Sequence, residues 1–177
     1  MLLPSRRGTW LIPRLLATPV SAASNIAMTE VIAGYADHQW RFSDFKGGTL
    51  ADNNFRIHSV SDEFVRRFGS EEPIREIHVV GHSDRVWHQG RPDTRDEDDT
   101  SQKRADEVFA ALAKDILTNP AGHFTPTQIR DMVTAGELTT IVVGVGARQR
   151  LTINNRGAAP ENRRVVVELW LTQSIPI

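Results

Sequence analysis

Apolar residues Ile57, Val60, Phe64 and Phe68 recur at three- and four-residue intervals, with polar residues between them. That spacing predicts an amphipathic helix, with Asp52 as N-cap and Gly69 just past its end. Upstream, Trp40 and Phe42 alternate with Arg41 and Ser43 and predict a short strand from Gln39, broken at Lys46-Gly47-Gly48. The apolar run 77–80 predicts a second strand ended by Gly81. An acidic loop over 93–99 follows. Ala105, Val108, Phe109, Leu112 and Ile116 then mark another helix, with Asp98 and Asp99 beside the positive end of its dipole. Thr125-Pro126-Thr127-Gln128 reads as N-cap, N1 proline and capping-box glutamine, followed by the inward-facing Ile129, Met132 and Val133 and a stop at Gly136. The β-branched stretch 139–145 and the stretch 163–172, with Val165, Val167, Leu169 and Leu171 on one face, predict the last two strands.

The predicted order is βαβα(α)ββ, an α+β two-layer domain with helices packed on one face of a mixed sheet. The last two strands are expected to pair antiparallel. The domain is expected to span 37–174, with 1–36 as a tail or weak leader. Arg6 and Arg7 suit the basic start of a signal peptide, residues 10–20 its apolar segment and Val20-Ser21-Ala22 its cleavage site, so a cleaved chain would begin near Ala23. Pro13 and Arg14 interrupt that apolar segment, and Met28 offers an alternative start.

Composition narrows the function. Hydrophobic residues are 40% and charged residues 24% of the 177 positions, the range of a chain that folds without disulfide or metal. Twenty-one Lys and Arg against 22 Asp and Glu leave a net charge of −1, so no overall basic field points to nucleic acid or an anionic membrane. No apolar run has the length of a transmembrane segment. The absence of cysteine excludes thiol catalysis, iron–sulfur clusters and cysteine zinc sites.

Four motifs carry a family resemblance. Ile77-His78-Val79-Val80-Gly81-His82-Ser83-Asp84 resembles the Gly-His-Thr-Asp strand end of OmpA-like peptidoglycan-binding domains. Ser101-Gln102-Lys103-Arg104-Ala105, with Val108 and Leu112, is similar to that family's Leu-Ser-x-x-Arg-Ala helix. Gly144-Val145-Gly146 resembles its Gly-x-Gly turn, and Asn162-Arg163-Arg164-Val165 its Asn-Arg-Arg-Val strand start. Phe45-Lys46-Gly47-Gly48-Thr49-Leu50 matches the family's Phe-x-x-Gly-Ser-Ala-x-Leu segment more loosely. The motifs fall in the family's order between about residues 39 and 172.

The resemblance implies recognition without turnover and without a cofactor. The partner it implies is the meso-diaminopimelate stem peptide of peptidoglycan, in the cell envelope or periplasm with outer-membrane association. By resemblance, Asp84 takes the ligand's ammonium group and Arg104 its carboxylate, gripped through two parallel hydrogen bonds from the rim of the second helix. Arg163 and Arg164 feed toward the same cleft, with Ser83 beside Asp84. Glu97 stands where the family has Asn, Thr100 where it has Leu, and Asp93, Asp96, Asp98 and Asp99 add negative charge to a lengthened loop. Those departures suit the second reading, the same fold used as an interaction or assembly module with a protein partner and no cell-wall binding.

Two rival constellations are weaker. Gly81-His82-Ser83 imitates the start of a nucleophile elbow, with Ser83 as nucleophile and His123 as base, but Arg85 stands where its closing glycine belongs. His78, His82 and His88 with Asp84 lack an obvious closing ligand for a metal.

Overall fold

Val165, Val167 and Leu169 are buried on one face of strand β6 (Val165–Trp170), whereas Val166, Glu168 and Trp170 between them stay partly exposed. That two-residue period places β6 in a sheet covered on one side. The computed structural model describes residues 25–88, 91–151 and 159–171. The sheet contains β1 (Ile26–Ile32), β2 (Glu76–Gly81), β5 (Thr139–Gly144) and β6, in the order β1-β6-β2-β5. Strand β6 runs antiparallel to both neighbours, and β2 and β5 are parallel. A two-stranded ribbon, β3 (Trp87–His88) with β4 (Arg91–Pro92), lies apart from it.

Helices α1 (Gly47–Arg67) and α2 (Thr94–Thr118) pack against each other and cover the face bearing Ile32, Ile77, Val79, Val165, Val167 and Leu169. The short helix α3 (Pro126–Thr134) has the expected capping box of Thr125 and Gln128. The protein is therefore an α+β two-layer domain with a mixed sheet, as its periodicities predict. The other sheet face is less buried among the described residues: Val31 and Val143 are exposed and Val80, Val166 and Trp170 partly so, although Glu76 on it is buried. Across it Val31, Val166, Val80 and Val143 are register partners in one row, and His78 stacks on Trp170 at 5.1 Å.

Four expectations need correction. The expected strand from Gln39 is instead a loop and a 3₁₀ turn, Phe42–Asp44, because Phe42 and Tyr35 pack around Phe45 in an aromatic cluster. The first strand is β1, so residues 26–36 belong to the domain and not to a tail. The leader features at 6–23 lie outside the described residues. The last two strands do not pair, since β2 lies between them and supplies hydrogen bonds to both. Finally, the helices begin earlier than their apolar stripes. Helix α1 starts after Lys46, because Leu50 reaches the core and Asn53 bonds both the N–H and C=O of Ala33. Helix α2 absorbs the acidic run, because Asp93 accepts from the Asp96 N–H and acidic side chains favour the positive end of the helix.

The contact of α2 with the sheet depends on two glycines. Gly81 and Gly144 are register partners at the ends of β2 and β5. A Cβ at Gly81 would overlap the Ser101 carbonyl, and one at Gly144 would overlap the Gln102 amide. The backbone of α2 thus sits directly on the strand ends. Gly81→Ala should therefore cost at least about 2 kcal/mol of stability, seen as a fall of several degrees in the thermal midpoint. A midpoint equal to wild type would contradict this packing.

Candidate functional site

Beyond Gly81 the chain leaves the sheet through His82, Ser83 and Asp84, all buried. The His82 N–H donates to the Arg164 carbonyl at 2.8 Å and the Ser83 N–H to the Gly146 carbonyl at 3.0 Å. These bonds hold the segment between the start of β6 and the turn after β5.

Asp84 is occupied by its own chain. One carboxylate oxygen accepts from the Arg85 N–H at 2.8 Å and the Asn162 side-chain amide at 3.3 Å, and the other from the Ala159 N–H at 2.6 Å. Such bonds fasten the 159–162 turn to the end of β2.

Arg104 is not at the rim of its helix, where the sequence placed it, but is 1% exposed. The close packing over Gly81 sends its side chain inward. Its Nε–H donates to the Gln39 carbonyl at 2.7 Å, Nη1 to the His82 carbonyl at 2.9 Å and Nη2 to the Ala36 carbonyl at 3.5 Å, with Tyr35 stacked 4.8 Å away. Burial lowers its pKa to about 10, Arg163 pushes the same way, and Asp37 and Asp84 oppose them. Arg104 is charged at neutral pH and ties the loop after β1 to the end of β2.

Arg163 and Arg164 complete a cationic cluster. Arg163 is 7% exposed, with Nη1 3.9 Å from the Asp37 carboxylate. Arg164 donates through Nη2 to the Gln149 carbonyl at 3.2 Å, and burial lowers its pKa. The Nε of Arg163, the Nη1 of Arg164, the Ser83 and Tyr35 hydroxyls and the His82 Nδ1 are buried without a hydrogen-bond partner among the described residues. Buried donors without partners are costly, and a carboxylate is a group that accepts readily from guanidinium N–H groups.

The acidic run does not act as free charge beside these arginines. Asp98 pairs with Arg148 at 3.0 Å and Asp99 with Lys103 at 2.6 Å, and Asp96 lies 3.4 Å from His38. Glu97 is buried and accepts from the Val86 N–H at 3.0 Å, so it holds the loop after Asp84 as an asparagine could, though burial raises its pKa.

The structure thus brings Ser83, Asp84, Arg104, Arg163 and Arg164 into one neighbourhood. It adds Tyr35, Asp37, His82 and Asn162, which sequence reasoning had not assigned to the site. Asn162 stood in the quoted Asn-Arg-Arg-Val motif, whereas Tyr35 lay in the segment read as a tail and Asp37 at the first position of the expected domain. The elbow reading gains no base: Ser83 Oγ has no partner among the described residues. His78 faces the side of the sheet opposite the core, beside Glu76, and the side chain of His88 lies outside the described residues. Among the described residues no group of three or more His, Cys, Asp and Glu side chains is placed to hold a metal.

Two stability measurements check this geometry. Burial, reinforced by Arg164, lowers the His82 pKa from 6.5 to about 4. As pH falls through 6.5 the unfolded chain takes up a proton that the folded chain refuses, so stability is complete above 6.5 and is lost toward 4. His82→Gln should remove about 1–2 kcal/mol of that acid loss in urea unfolding at stepped pH, and an unchanged pH profile would count against the buried neutral ring. Arg104→Ala should destabilise by about 3–5 kcal/mol, with Arg104→Lys recovering a part, since it unties buried carbonyls. A near-neutral Arg104→Ala would mean the guanidinium is not committed to the fold.

No protein-family model and no curated protein matches the chain. Solved structures do. The chain is similar to the peptidoglycan-associated lipoprotein from Burkholderia pseudomallei, at 15% identity and a TM-score of 0.49 over 78% of this chain and 88% of that one. It is similar to the periplasmic domain of Helicobacter pylori MotB, at 14% identity and a TM-score of 0.46 over 80% and 72%. A third similar structure is the cell wall anchor of the T6SS from Pseudomonas aeruginosa, at 17% identity and a TM-score of 0.45 over 81% of each chain.

Proposed function

We propose that this domain binds the diaminopimelate-containing stem peptide of peptidoglycan without chemical turnover, and so tethers its chain to the cell wall in the envelope. The observation that carries the reading is the buried trio Arg104, Arg163 and Arg164, with Arg163 Nε–H and an Arg164 Nη1 N–H unmet. The family resemblance of the four motifs supplies the identity of the ligand. Its free carboxylate would accept from Arg163 and Arg164, while Arg104 holds the backbone of the loop after β1 and the end of β2 and adds positive potential. Its ammonium group would lie toward the acidic side chains beside these arginines, the buried Asp84 and the 75% exposed Asp37. The commitment of Arg104 to three carbonyls favours the second reading, a scaffold for protein assembly, and binding distinguishes the two.

Calorimetric titration with a diaminopimelate tripeptide, beside its lysine counterpart, is the test. Wild type should bind the first and discriminate against the second. Arg163→Ala should weaken binding about 10- to 150-fold, the loss of charge-assisted hydrogen bonds to an ion. Ser83→Ala should bind like wild type. Absence of wild-type binding at millimolar ligand, or equal binding by wild type and Arg163→Ala, would leave the assembly reading.

A further inference from the structure

Strand β5 forms one edge of the sheet. The N–H groups of Thr139 and Val145 donate inward, to the carbonyls of Arg75 and Gly81. By the alternation of a strand, the peptide groups of Thr140, Val142 and Gly144 face outward, where a further strand would add. One side chain already stands there. Gln102 Oε1 accepts from the Gly144 N–H at 2.8 Å, and its Nε2 reaches the Val142 carbonyl at 3.5 Å. The same Nε2 donates to Asp106 at 2.9 Å, which fixes which end of the amide meets Gly144. Accepting from one residue and donating to the carbonyl two before it is what the backbone of a parallel neighbouring strand would do. The missing side chain at Gly144 lets α2 come close enough to insert it.

The rest of the edge has little protection. Its sequence, Thr-Thr-Ile-Val-Val-Gly, carries no charge and no proline, the usual guards of a free edge. No hydrogen bond is made by the outward N–H groups of Thr140 and Val142 among the described residues. Ile141 and Val143 are each 37% exposed and lie beside His78 and Val80 on the sheet face opposite the core. Two copies meeting at β5 about a two-fold axis would pair antiparallel with no opposed charge and would join their valine rows into one surface.

We propose that Gln102 is a side-chain plug that closes the β5 edge and keeps this chain from extending its sheet with a second copy. The test begins with amide exchange in the unaltered chain. The Gly144 N–H should be protected like an interior amide, and those of Thr140 and Val142 should exchange rapidly. In Gln102→Ala the Gly144 amide should exchange about tenfold faster, the loss of one hydrogen bond. Light scattering should then show a concentration-dependent dimer absent from wild type. Adding Ile141→Lys to that variant should restore the monomer, because a lysine guards the exposed strand. Rapid exchange of Gly144 in wild type would overturn the proposal even if Gln102→Ala failed to fold. So would a monomeric, folded Gln102→Ala, a wild type already dimeric through β5, or association that Ile141→Lys leaves untouched.

Discussion

A guanidinium taken almost wholly out of water is the constraint on which this molecule depends. Withdrawing that charge from water costs several kcal/mol, so it persists only where its N–H groups are met. Arg104 meets them with the carbonyls of Ala36, Gln39 and His82 and with the face of Tyr35. Those partners come from the loop after β1 and the end of β2, so a single side chain of α2 fastens both. The tie is possible only because Gly81 and Gly144 let α2 lie on the strand ends. Packing, hydrogen bonding and charge here form one arrangement, and removal of any part loosens the others.

The same arrangement sets the electrostatics of the arginine cluster. Arg104, Arg163 and Arg164 are buried near one buried aspartate, whose oxygens already accept three hydrogen bonds from the protein. The nearby exposed carboxylate of Asp37 is too far from Arg163, at 3.9 Å, to satisfy it fully. Buried positive charge with unmet donors is costly, which is the physical ground for the proposal that a ligand carboxylate binds here. The division of labour also differs from what a motif alone suggests. Arg104 holds the backbone, whereas Arg163 and Arg164 keep donors to spare.

The elements with a strong period were legible in the sequence. The stripes of α1 and α2 and the alternation of β6 each describe a buried face, and burial is what hydrophobic periodicity records. The stripe of α3 is only partly covered: Ile129 and Met132 reach the core and Val133 stays exposed. Strand β1 was missed because it is an edge strand with a mixed burial pattern and a register irregularity between Ile26 and Met28. Trp40 and Phe42 misled for the opposite reason: they alternate, but Phe42 sits in a 3₁₀ turn packed edge-on against Phe45, and no strand forms there. The acidic run read as a loop because charge suggests solvent, yet Asp93 caps a helix and the acids beside it favour the positive end. Strand order escaped because a chain does not state which strand will lie between its last two. The motif residues were found, and their roles were not, since the depth of Arg104 and the saturation of Asp84 arise from tertiary contacts.

The central claim, that Arg104 is committed to the fold while Arg163 holds an open donor for a carboxylate, can be read at single N–H groups. Side-chain ¹⁵N spectra of the arginines, recorded as a diaminopimelate tripeptide is added, measure it directly. The account predicts that Arg104 Nε–H is slow to exchange and unmoved throughout, while Arg163 Nε–H shifts and becomes protected as the peptide binds. A bound peptide that moves Arg104 Nε–H and leaves Arg163 unchanged would contradict it.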